Sequence, residues 1–334
     1  MYKFEGEFKL GLKEKVLNEL EASRGESLSG AQLAQTLEVS RTAVWKAIEE
    51  LRKDGFEISA ATNKGYTLKS DDNSLSAEGI KAILGKTDYD IHVEKTVTST
   101  NTVLKELAKD GAPSGYVLLA QQQTAGKGRL GRRFYSPDKT GVYLSVILRP
   151  KLTIENALFI TTSAAVAVSR AIETISNNEV KAQIKWVNDV FVDNKKVCGI
   201  LTEASVDFES GGLEYAVLGI GVNILAPESD FPDELKNVAT SVFGNSRQEN
   251  IRNRLAAEIL RELNRLPENF MDKEILDEYR SRSMLIGKNV FAVSGEKKEP
   301  CVVLDIDDKA RLIVRLEDGS EKTISTGEVS IKFE

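Results

Sequence analysis

The stretch GAQLAQTLEVSRTAVWKAIEELRKDGFEISAATNKGYTL, residues 30–68, joins two helical patterns to a pair of alternating segments. A short helix is followed by a tight turn, and Ser40 can cap a second helix whose apolar residues share one face until Gly55 ends it. The alternation on either side of Asn63-Lys64-Gly65 predicts a hairpin. Two helices and a hairpin in this order are typical of a winged helix-turn-helix.

In such a module the second helix enters the major groove of DNA and the hairpin tip contacts the phosphate backbone. The residues predicted to contact DNA are Arg41, Thr42, Lys46, Arg52 and Lys64. Trp45 is predicted to be a core residue rather than one that stacks on bases. Because the charges of the module nearly balance, a small protein-binding domain is the alternative to DNA binding.

Composition narrows the class of protein. The 334 residues carry a formal net charge of -6, which argues against a surface coated throughout with nucleic-acid-binding charge. Cys198 and Cys301 lie far apart, and the start has no apolar signal core, so we expect a cytoplasmic protein that contacts no membrane. We also expect no apolar run of the roughly 18 residues that a membrane span needs. The one histidine, His92, lies in a predicted strand, which disfavours a Ser-His-Asp triad or a histidine-rich metal site.

The rest of the chain divides into a mixed unit and an all-β end. The polar stretch KSDDNSLSAEGI (69–80) is predicted to be a linker. Strands are predicted at 91–96, 116–122, 142–148, 184–192, 197–205 and 214–224, and helices at 100–109, 154–177, 249–265 and 272–281. A hairpin signal, DNKK, makes the central sheet partly antiparallel. Five short strands after residue 284 predict a small barrel. The fold class is therefore α+β, with domains at 1–70, 71–283 and 284–334.

A glycine-rich basic segment is the strongest candidate for binding an anion. QQQTAGKGRLGRRFYSP (121–137) contains three glycines and four cations, so unshielded N–H groups and guanidinium forks can meet phosphate or carboxylate. A plain solvated loop is the alternative. Two other phosphate motifs fail: GIKAILGKT has five residues between its glycines where a P-loop needs four, and GIGVNI ends in isoleucine instead of glycine or alanine.

Two further stretches add to this candidate. IKWVNDVFVDNKKVCGI (184–200) places Asn188 and Asp189 at a strand end and Lys196 at the start of an apolar strand, where its charge suits a carboxylate or an α-phosphate. TVTSTNTVLKEL (96–107) places Ser99 and Thr100 where a strand gives way to a helix. Helix capping is the alternative role for one of these two hydroxyls.

Together these stretches resemble the biotin–protein ligases. The family's loop G-R-G-R-x-G-R occurs here as GKGRLGR, its Ser-Thr-Asn strand end as STN, and its Lys-Trp-Pro-Asn-Asp segment as KWVND, with KKVCGI and GIGVN following. The winged helix in front and a small SH3-like barrel behind resemble the bifunctional members, which also act as repressor of the biotin operon. Four positions depart from the usual pattern: Lys127 and Leu130 replace arginines, Val187 replaces proline, and Phe134 replaces tryptophan.

The resemblance implies a two-step ligase with ATP and Mg²⁺ as cofactors. Biotin and ATP would form biotinyl-5′-AMP, and a lysine of a biotin carboxyl carrier protein would then take the acyl group. The implied biotin site is Ser99, Thr100, Gln123, Gly126, Lys127, Arg129 and Lys196, and the implied nucleotide site is Gly128, Arg132, Phe134, Asn188 and Asn223. Arg129 and Lys196 would bridge the carboxylate and the α-phosphate, Asp189 would position the carrier lysine, and Glu328 and Lys332 would reach the nucleotide.

The resemblance also implies a switch in which biotinyl-AMP favours a homodimer that binds the operator DNA of biotin genes. Three alternatives stay open at this point. They are a lipoate–protein ligase, a transcription factor that only senses biotin, and a ligase whose winged helix no longer binds DNA. The sequence identifies no metal ligands.

Overall fold

The computed structural model describes residues 11–61, 64–207, 209, 211–227, 230–246, 248–294, 297–325 and 328–331. Its first unit is a winged helix-turn-helix, as predicted. Helices α1 (Leu12–Ala22), α2 (Gly30–Thr36) and α3 (Arg41–Lys53) precede the antiparallel strands β1 (Ile58–Ala61) and β2 (Gly65–Leu68). Ser29 forms a capping box with Gln32, and the Ser40 side chain accepts from Ala43 N–H, which fixes where α2 and α3 begin.

The prediction that Trp45 belongs to the core is wrong. The core of this unit takes Val44, Ile48 and Leu51 from α3, each almost fully buried. Trp45 lies outside that buried face and is 51% exposed. Spacing alone cannot separate the edge of an apolar stripe from its centre, because positions one residue apart differ by about 100° around the helix.

The polar stretch predicted as a linker is a buried joint. Asp72 and Ser76 are each 3% exposed, and Ser76 caps helix α4 (Ala77–Leu84), which the sequence reading missed. Ser76 Oγ also donates to Glu21 Oε1 of α1 at 3.0 Å, and Glu21 is paired with Arg24 at 2.8 Å. Arg24 donates in turn to the carbonyl oxygens of Lys69 and Asp72. The first unit is therefore fastened to the second by hydrogen bonds through this segment.

The second unit is built on a seven-stranded sheet. Its strands are β3 (Asp90–Val97), β4 (Tyr116–Gln123), β5 (Gly141–Leu148), β6 (Gln183–Lys185), β7 (Asp189–Val192), β8 (Lys195–Val206) and β9 (Leu213–Asn223). They lie in the order β3-β4-β5-β9-β8-β7-β6, and only β3 and β4 are parallel. The partly antiparallel sheet is confirmed.

Alternate residues of β4 pack on opposite faces of this sheet. Leu118 and Ala120 contact the cluster around helix α5 (Thr100–Lys109), whereas Val117 and Leu119 contact the larger core. That larger core includes α6 (Leu158–Ile175), α7 (Ile251–Asn264) and α8 (Lys273–Ser281). Ile154–Ile175 is apolar enough by composition to span a membrane, contrary to our expectation, but 78% of its apolar window is buried, as in a core helix.

The strand predicted at 184–192 is wrong in one respect. Residues 186–188 form a turn that divides it into β6 and β7, and the peptide bond between Trp186 and Val187 is cis. Trp186 Nε1 donates to Ala310 O at 2.9 Å in the last unit, and Tyr279 Oη of α8 donates to Val187 O at 3.0 Å. The turn is therefore held from both sides by elements that a local pattern does not reveal.

The last unit is a five-stranded antiparallel sheet. Its strands β10 (Asn289–Ser294), β11 (Lys297–Ile306), β12 (Leu312–Leu316), β13 (Glu321–Ile324) and β14 (Glu328–Ile331) lie in the order β13-β12-β11-β10-β14. The five strands predicted in this region are all present. Their buried side chains, among them Val303, Leu312 and Val314, join the core of the central unit.

Candidate active site

A cleft of about 1220 Å³ lies over the central sheet and reaches the last unit. Among the residues that the structure describes, eight cationic side chains line the cleft against two carboxylates, Asp189 and Glu317. The cations are Lys127, Arg129, Arg132, Arg133, Lys185, Lys196, Lys288 and Arg315. A chain whose net charge is -6 thus concentrates positive charge in one concave surface. Such a surface attracts ligands with several negative charges.

The basic loop, residues 126–134, is a folded hairpin rather than a plain solvated segment. Lys127 and Arg133 face each other as an antiparallel pair, and Gly128 N–H donates to Arg132 O at 2.8 Å. The reversal at Arg129–Gly131 needs positive φ at Leu130 (55°) and Gly131 (74°). Leu130 stands at the tip with 74% of its surface exposed. The loop therefore presents its cations from a defined backbone.

Glycines in β8 and β9 make room for side chains of the site. Gly199 and Gly221 are opposite each other across the two strands, and the ring of Phe134 rests on this pair. A Cβ on Gly221 would lie 2.6 Å from the ring, and a Cβ on Gly219 would lie 2.0 Å from Asn101 Oδ1. The glycines of the GIGVN stretch therefore leave the space that the Phe134 ring and the Asn101 side chain occupy.

A chain of polar side chains runs beneath the cleft. Gln123 Oε1 accepts from Thr100 N–H at 2.9 Å and from Thr100 Oγ1 at 3.2 Å, while Gln123 Nε2 donates to Ser136 Oγ at 2.9 Å. Ser145 Oγ lies 2.7 Å from Thr100 Oγ1 and 2.6 Å from Asn101 Oδ1. Gln123 therefore caps α5 from a neighbouring strand, and each of these polar groups has a fixed partner.

Ser99 occupies the N-cap position of α5 but makes no side-chain capping hydrogen bond. It is 2% exposed and lines the cleft. Because Gln123 supplies the cap, the alternative capping role falls to neither Ser99 nor Thr100.

Two cationic side chains meet polar partners at the far wall of the cleft. Lys196 Nζ is 2.6 Å from Asp189 Oδ1, and Arg129 Nη1 donates to Asn188 Oδ1 at 3.1 Å. Asn188 Nδ2 donates to Ile200 O at 2.8 Å, so its amide orientation is fixed. The backbone of Lys196 pairs with residues 238–240 at one edge of β8. A lysine and an arginine are thereby held beside one wall, each by a hydrogen-bonded or ion-paired partner.

Comparison with known proteins identifies the chain. Residues 93–223 match the "Biotin/lipoate A/B protein ligase family", residues 13–67 an "HTH domain", and residues 285–332 the "Biotin protein ligase C terminal domain". The bifunctional ligase/repressor BirA of Bacillus spizizenii is 35% identical over 307 residues, which cover 90% of this chain and 93% of that protein. The chain belongs to the biotin/lipoate A/B protein ligase family.

Two further relatives agree with this family. The bifunctional ligase/repressor BirA of Escherichia coli (strain K12) is 30% identical over 315 residues, covering 93% of this chain and 94% of that protein. Among solved structures, the biotin protein ligase from Aquifex aeolicus in complex with biotin and ATP has a TM-score of 0.60 at 28% identity. It covers 74% of this chain and 100% of that chain.

Most residues that the resemblance points to line this cleft. Those that line it are Ser99, Thr100, Gln123, Lys127, Gly128, Arg129, Arg132, Phe134, Asn188, Asp189, Lys196 and Asn223. Gly126 is buried at the base of the basic loop, where a Cβ would lie 2.4 Å from Phe134 O. The Glu328 side chain and Lys332 lie outside the described residues.

The sequence reading missed three residues of the buried polar chain, namely Asn101, Ser136 and Ser145. The sequence could have indicated Ser145, since it is the one residue besides Tyr143 with a hydroxyl group in the apolar strand GVYLSVIL. A serine at a position that should be apolar needs a hydrogen-bond partner. Asn101 lies in the STN stretch, but its partners, Leu201 O at 3.2 Å and Glu203 Oε2 at 3.1 Å, are about a hundred residues away.

Two acidic or nucleophilic groups near the cleft have shifted pKa values. Burial raises the pKa of the Cys198 thiol, which favours its neutral and weakly nucleophilic form. Burial would also raise the pKa of Glu203, but hydrogen bonds from Lys105 and Asn101 outweigh it and lower that pKa below its usual value. Glu203 is therefore a charged anchor for Asn101 at neutral pH.

The residues predicted to contact DNA divide into two groups. Arg41, Thr42 and Lys46 are exposed on α3, and Lys64 is exposed at the hairpin beside the undescribed residues 62 and 63. Arg52 is instead committed within the fold, because Nε donates to Ile58 O at 2.9 Å and Nη1 to Glu49 Oε1 at 2.6 Å. Arg52 is therefore only part-exposed, with 32% of its side chain accessible, and its contact with DNA stays a prediction.

Proposed function

We propose that this protein activates biotin with ATP as biotinyl-5′-AMP, transfers biotin to a lysine of a biotin carboxyl carrier protein, and represses biotin genes when biotinyl-AMP is bound. The observation that carries the proposal is the cationic wall of the cleft, where Arg129 and Lys196 lie beside a polar floor built on Thr100 and Gln123. The names of the relatives, bifunctional ligase/repressor, support it.

The first step brings two anions together. A biotin carboxylate oxygen bonds to the α-phosphorus, the bond from that phosphorus to the bridging oxygen breaks, and pyrophosphate leaves with that oxygen. Fixed cations lower this barrier because they need no reorganisation as charge shifts. We assign Arg129 and Lys196 to the carboxylate and α-phosphate, and Gly128, Arg132, Phe134, Asn188 and Asn223 to the nucleotide. We assign Gly126 and Lys127 to the biotin side.

The second step transfers the acyl group. The amine of the carrier lysine attacks the acyl carbon, the bond from that carbon to the AMP oxygen breaks, and the amine loses a proton. Asp189 is the carboxylate that we assign to positioning this amine, since it lies at the same wall as Lys196. The hydroxyls of Ser99 and Thr100 and the amide of Gln123 suit the ureido ring of biotin, with Gln123 exchanging one of its present partners for the ligand.

The described residues provide no dedicated cage for a Mg²⁺ ion, which proteins usually hold through one or two carboxylates together with substrate phosphates. Within the described ranges, no group of three or more His, Cys, Asp or Glu side chains could hold a metal. Magnesium is a hard cation that prefers carboxylate and water oxygens. We therefore derive no step from a resident metal, and we assign charge neutralisation in this cleft to its lysines and arginines.

The proposal has a direct test. Purified protein should exchange pyrophosphate into ATP with biotin, but not with lipoate or without an acid, and Lys196→Gln should lower the exchange rate at least about 100-fold. Circular dichroism of the variant checks that it is folded. Exchange with lipoate would replace the substrate assignment. Silence with both biotin and lipoate would leave the transcription factor that only senses biotin.

The regulatory half needs its own measurement. We propose that biotinyl-AMP favours a homodimer that binds two-fold operator DNA. We also propose that the protein is cytoplasmic and that its domains span 1–70, 71–283 and 284–334. Sedimentation with and without biotin plus ATP should show dimerisation, and a gel shift with DNA upstream of biotin genes should show ligand-dependent binding. Exchange activity without any shift would favour a ligase whose winged helix does not bind DNA.

A further inference from the structure

Trp45 is an apolar side chain that the fold does not use. It is 51% exposed in the middle of α3, although position 45 contributes nothing to the core of the winged helix, which takes Val44, Ile48 and Leu51 from the same helix. About half of the indole surface is therefore left uncovered by the fold. Tryptophan is enriched at interfaces, so this half-exposed indole, taken together with the charges around it, points to a surface that a partner covers.

The neighbours of Trp45 indicate an anionic partner. One turn before it lies Arg41, and Lys46 and Lys53 are exposed cations on the same helix. Glu49, one turn after Trp45, is held by Arg52 at 2.6 Å, so its charge is neutralised within the fold. Glu50 is the exposed carboxylate of the helix. Three cations against one unpaired acid suit the phosphates that border a groove of duplex DNA.

The chemistry of the indole selects what it meets in that groove. Indole has one N–H donor, no acceptor and two large apolar faces. A helix in the major groove meets base edges, and the one apolar group displayed there is the C5-methyl of thymine. Stacking would require a base to leave its pair, which a helix lying in an intact groove does not do.

We infer that Trp45 is a specificity-determining residue that contacts the C5-methyl groups of thymines in the major groove. The inference rests on the proposed DNA binding and adds a residue that reads the sequence. Arg52, one of the expected contacts, already donates to Ile58 O and Glu49 Oε1 within the fold. Arg41 and Lys46 then contact phosphates, and Trp45 distinguishes thymine-containing sites from others.

The test uses the full chain with biotin and ATP. The probe is a duplex that this protein selects from a random pool, compared with duplexes in which each thymine is replaced by uracil, which keeps base pairing and removes only the methyl group. At one or more positions, uracil should weaken binding about 3- to 10-fold. Trp45→Ala should weaken binding to the thymine duplex about 10- to 100-fold and abolish the difference between thymine and uracil at those positions.

A matched control and a spectroscopic readout accompany these titrations. Ile154→Ala removes a comparably exposed apolar side chain (53%) from the central unit and should leave DNA affinity unchanged. The chain has two tryptophans, and the other, Trp186, is 4% exposed. Iodide quenching of intrinsic fluorescence therefore reports on Trp45, which should become protected when the duplex binds.

The outcomes distinguish a failure of this inference from a failure of the proposed DNA binding. If no duplex is selected or bound, the proposed DNA binding fails. If a duplex binds but uracil substitution and Trp45→Ala have no effect and iodide still reaches the indole, this inference alone fails. If Trp45→Ala instead changes the sedimentation of the protein without DNA, a second copy of the chain covers the indole, and the inference is overturned.

Discussion

Replacing Gly221 with alanine tests whether the glycines beneath the Phe134 ring, Gly199 and Gly221, set the position of the basic loop. The added Cβ would lie 2.6, 2.8 and 3.0 Å from three atoms of the Phe134 ring, so the ring must move by about 1 Å to reach ordinary contact. Phe134 N–H donates to Gly126 O at 2.9 Å, so any ring displacement that is passed on to the Phe134 backbone also moves the loop.

The magnitude follows from two opposing effects. Overpacking costs about 1–3 kcal/mol, whereas replacing a strand glycine with alanine gains about 0.5–1 kcal/mol in backbone entropy. We therefore expect the free energy of unfolding to fall by about 1–2 kcal/mol. A catalytic group displaced by about 1 Å can cost about 100-fold in rate, so we expect kcat/KM for biotin in pyrophosphate exchange to fall about 10- to 100-fold.

A double-mutant cycle identifies the clash as the cause. Phe134→Ala removes the ring, so Gly221→Ala introduced into that background should cost little or no further stability. Urea unfolding of the four proteins measures the coupling, and the exchange assay follows the loop. Gly199→Ala, whose Cβ would lie 3.2 Å from the ring and from Lys196 Cε and Nζ, should have a milder effect on stability. Equal costs of Gly221→Ala with and without the ring would refute the reasoning.

Three further predictions concern the buried polar groups. Arg252→Met removes a fully buried guanidinium that donates to Gly141 O, Gln121 Oε1, Gln121 O and Asn73 O. The substitution should lower the free energy of unfolding, measured in urea, by about 3 kcal/mol. A change under about 0.5 kcal/mol would contradict the structural role of these hydrogen bonds. Ser145→Ala should raise the KM for biotin about 5-fold and leave kcat unchanged, because Thr100 loses its buried partner; a fall in kcat alone would contradict this. Glu203→Gln should lower the melting temperature at pH 7. Since the folded pKa of Glu203 is depressed, its stabilisation is present above the unfolded pKa and is lost as pH falls through the folded value, so the difference between the two proteins should shrink as the solution is acidified.

Local patterns predicted those elements whose contacts are close in sequence. The helix beginning at Ser40, the hairpin after Gly55 and the strands of the sheet follow from capping and alternation, and the central strands other than 184–192 match within two residues. The grouping of the site came from motif resemblance, and the structure supplies its geometry. The spacing of residues along the sequence does not reveal the contact between Gly221 and Phe134, because the two residues meet only in the folded chain, where the basic loop lies over β9.

The errors at the predicted linker and at residues 186–188 share one physical cause, which is contact with distant parts of the chain. Residues 69–80 have the polar composition of a linker, but Ser76 N–H donates to Asn253 Oδ1, 177 positions away, and Asn73 O accepts from Arg252. These partners satisfy polar groups that a linker would leave to water. The turn at Trp186 is likewise fixed by Ala310. Trp45 differs, since its misassignment came from its place at the edge of the apolar stripe of α3.

The joint also bears on how the two halves of the protein communicate. Glu21 of the winged helix contacts Ser76, Ser76 contacts Asn253, and the adjacent Arg252 donates to Gln121, two residues before the Gln123 that caps α5 beneath the cleft. Continuity of hydrogen bonds is a geometric condition for coupling and is not itself a measure of it. Linkage supplies that measure. If biotinyl-AMP raises the affinity for DNA by some factor, DNA must raise the affinity for biotinyl-AMP by the same factor, and a joint that transmits the effect must act in both directions.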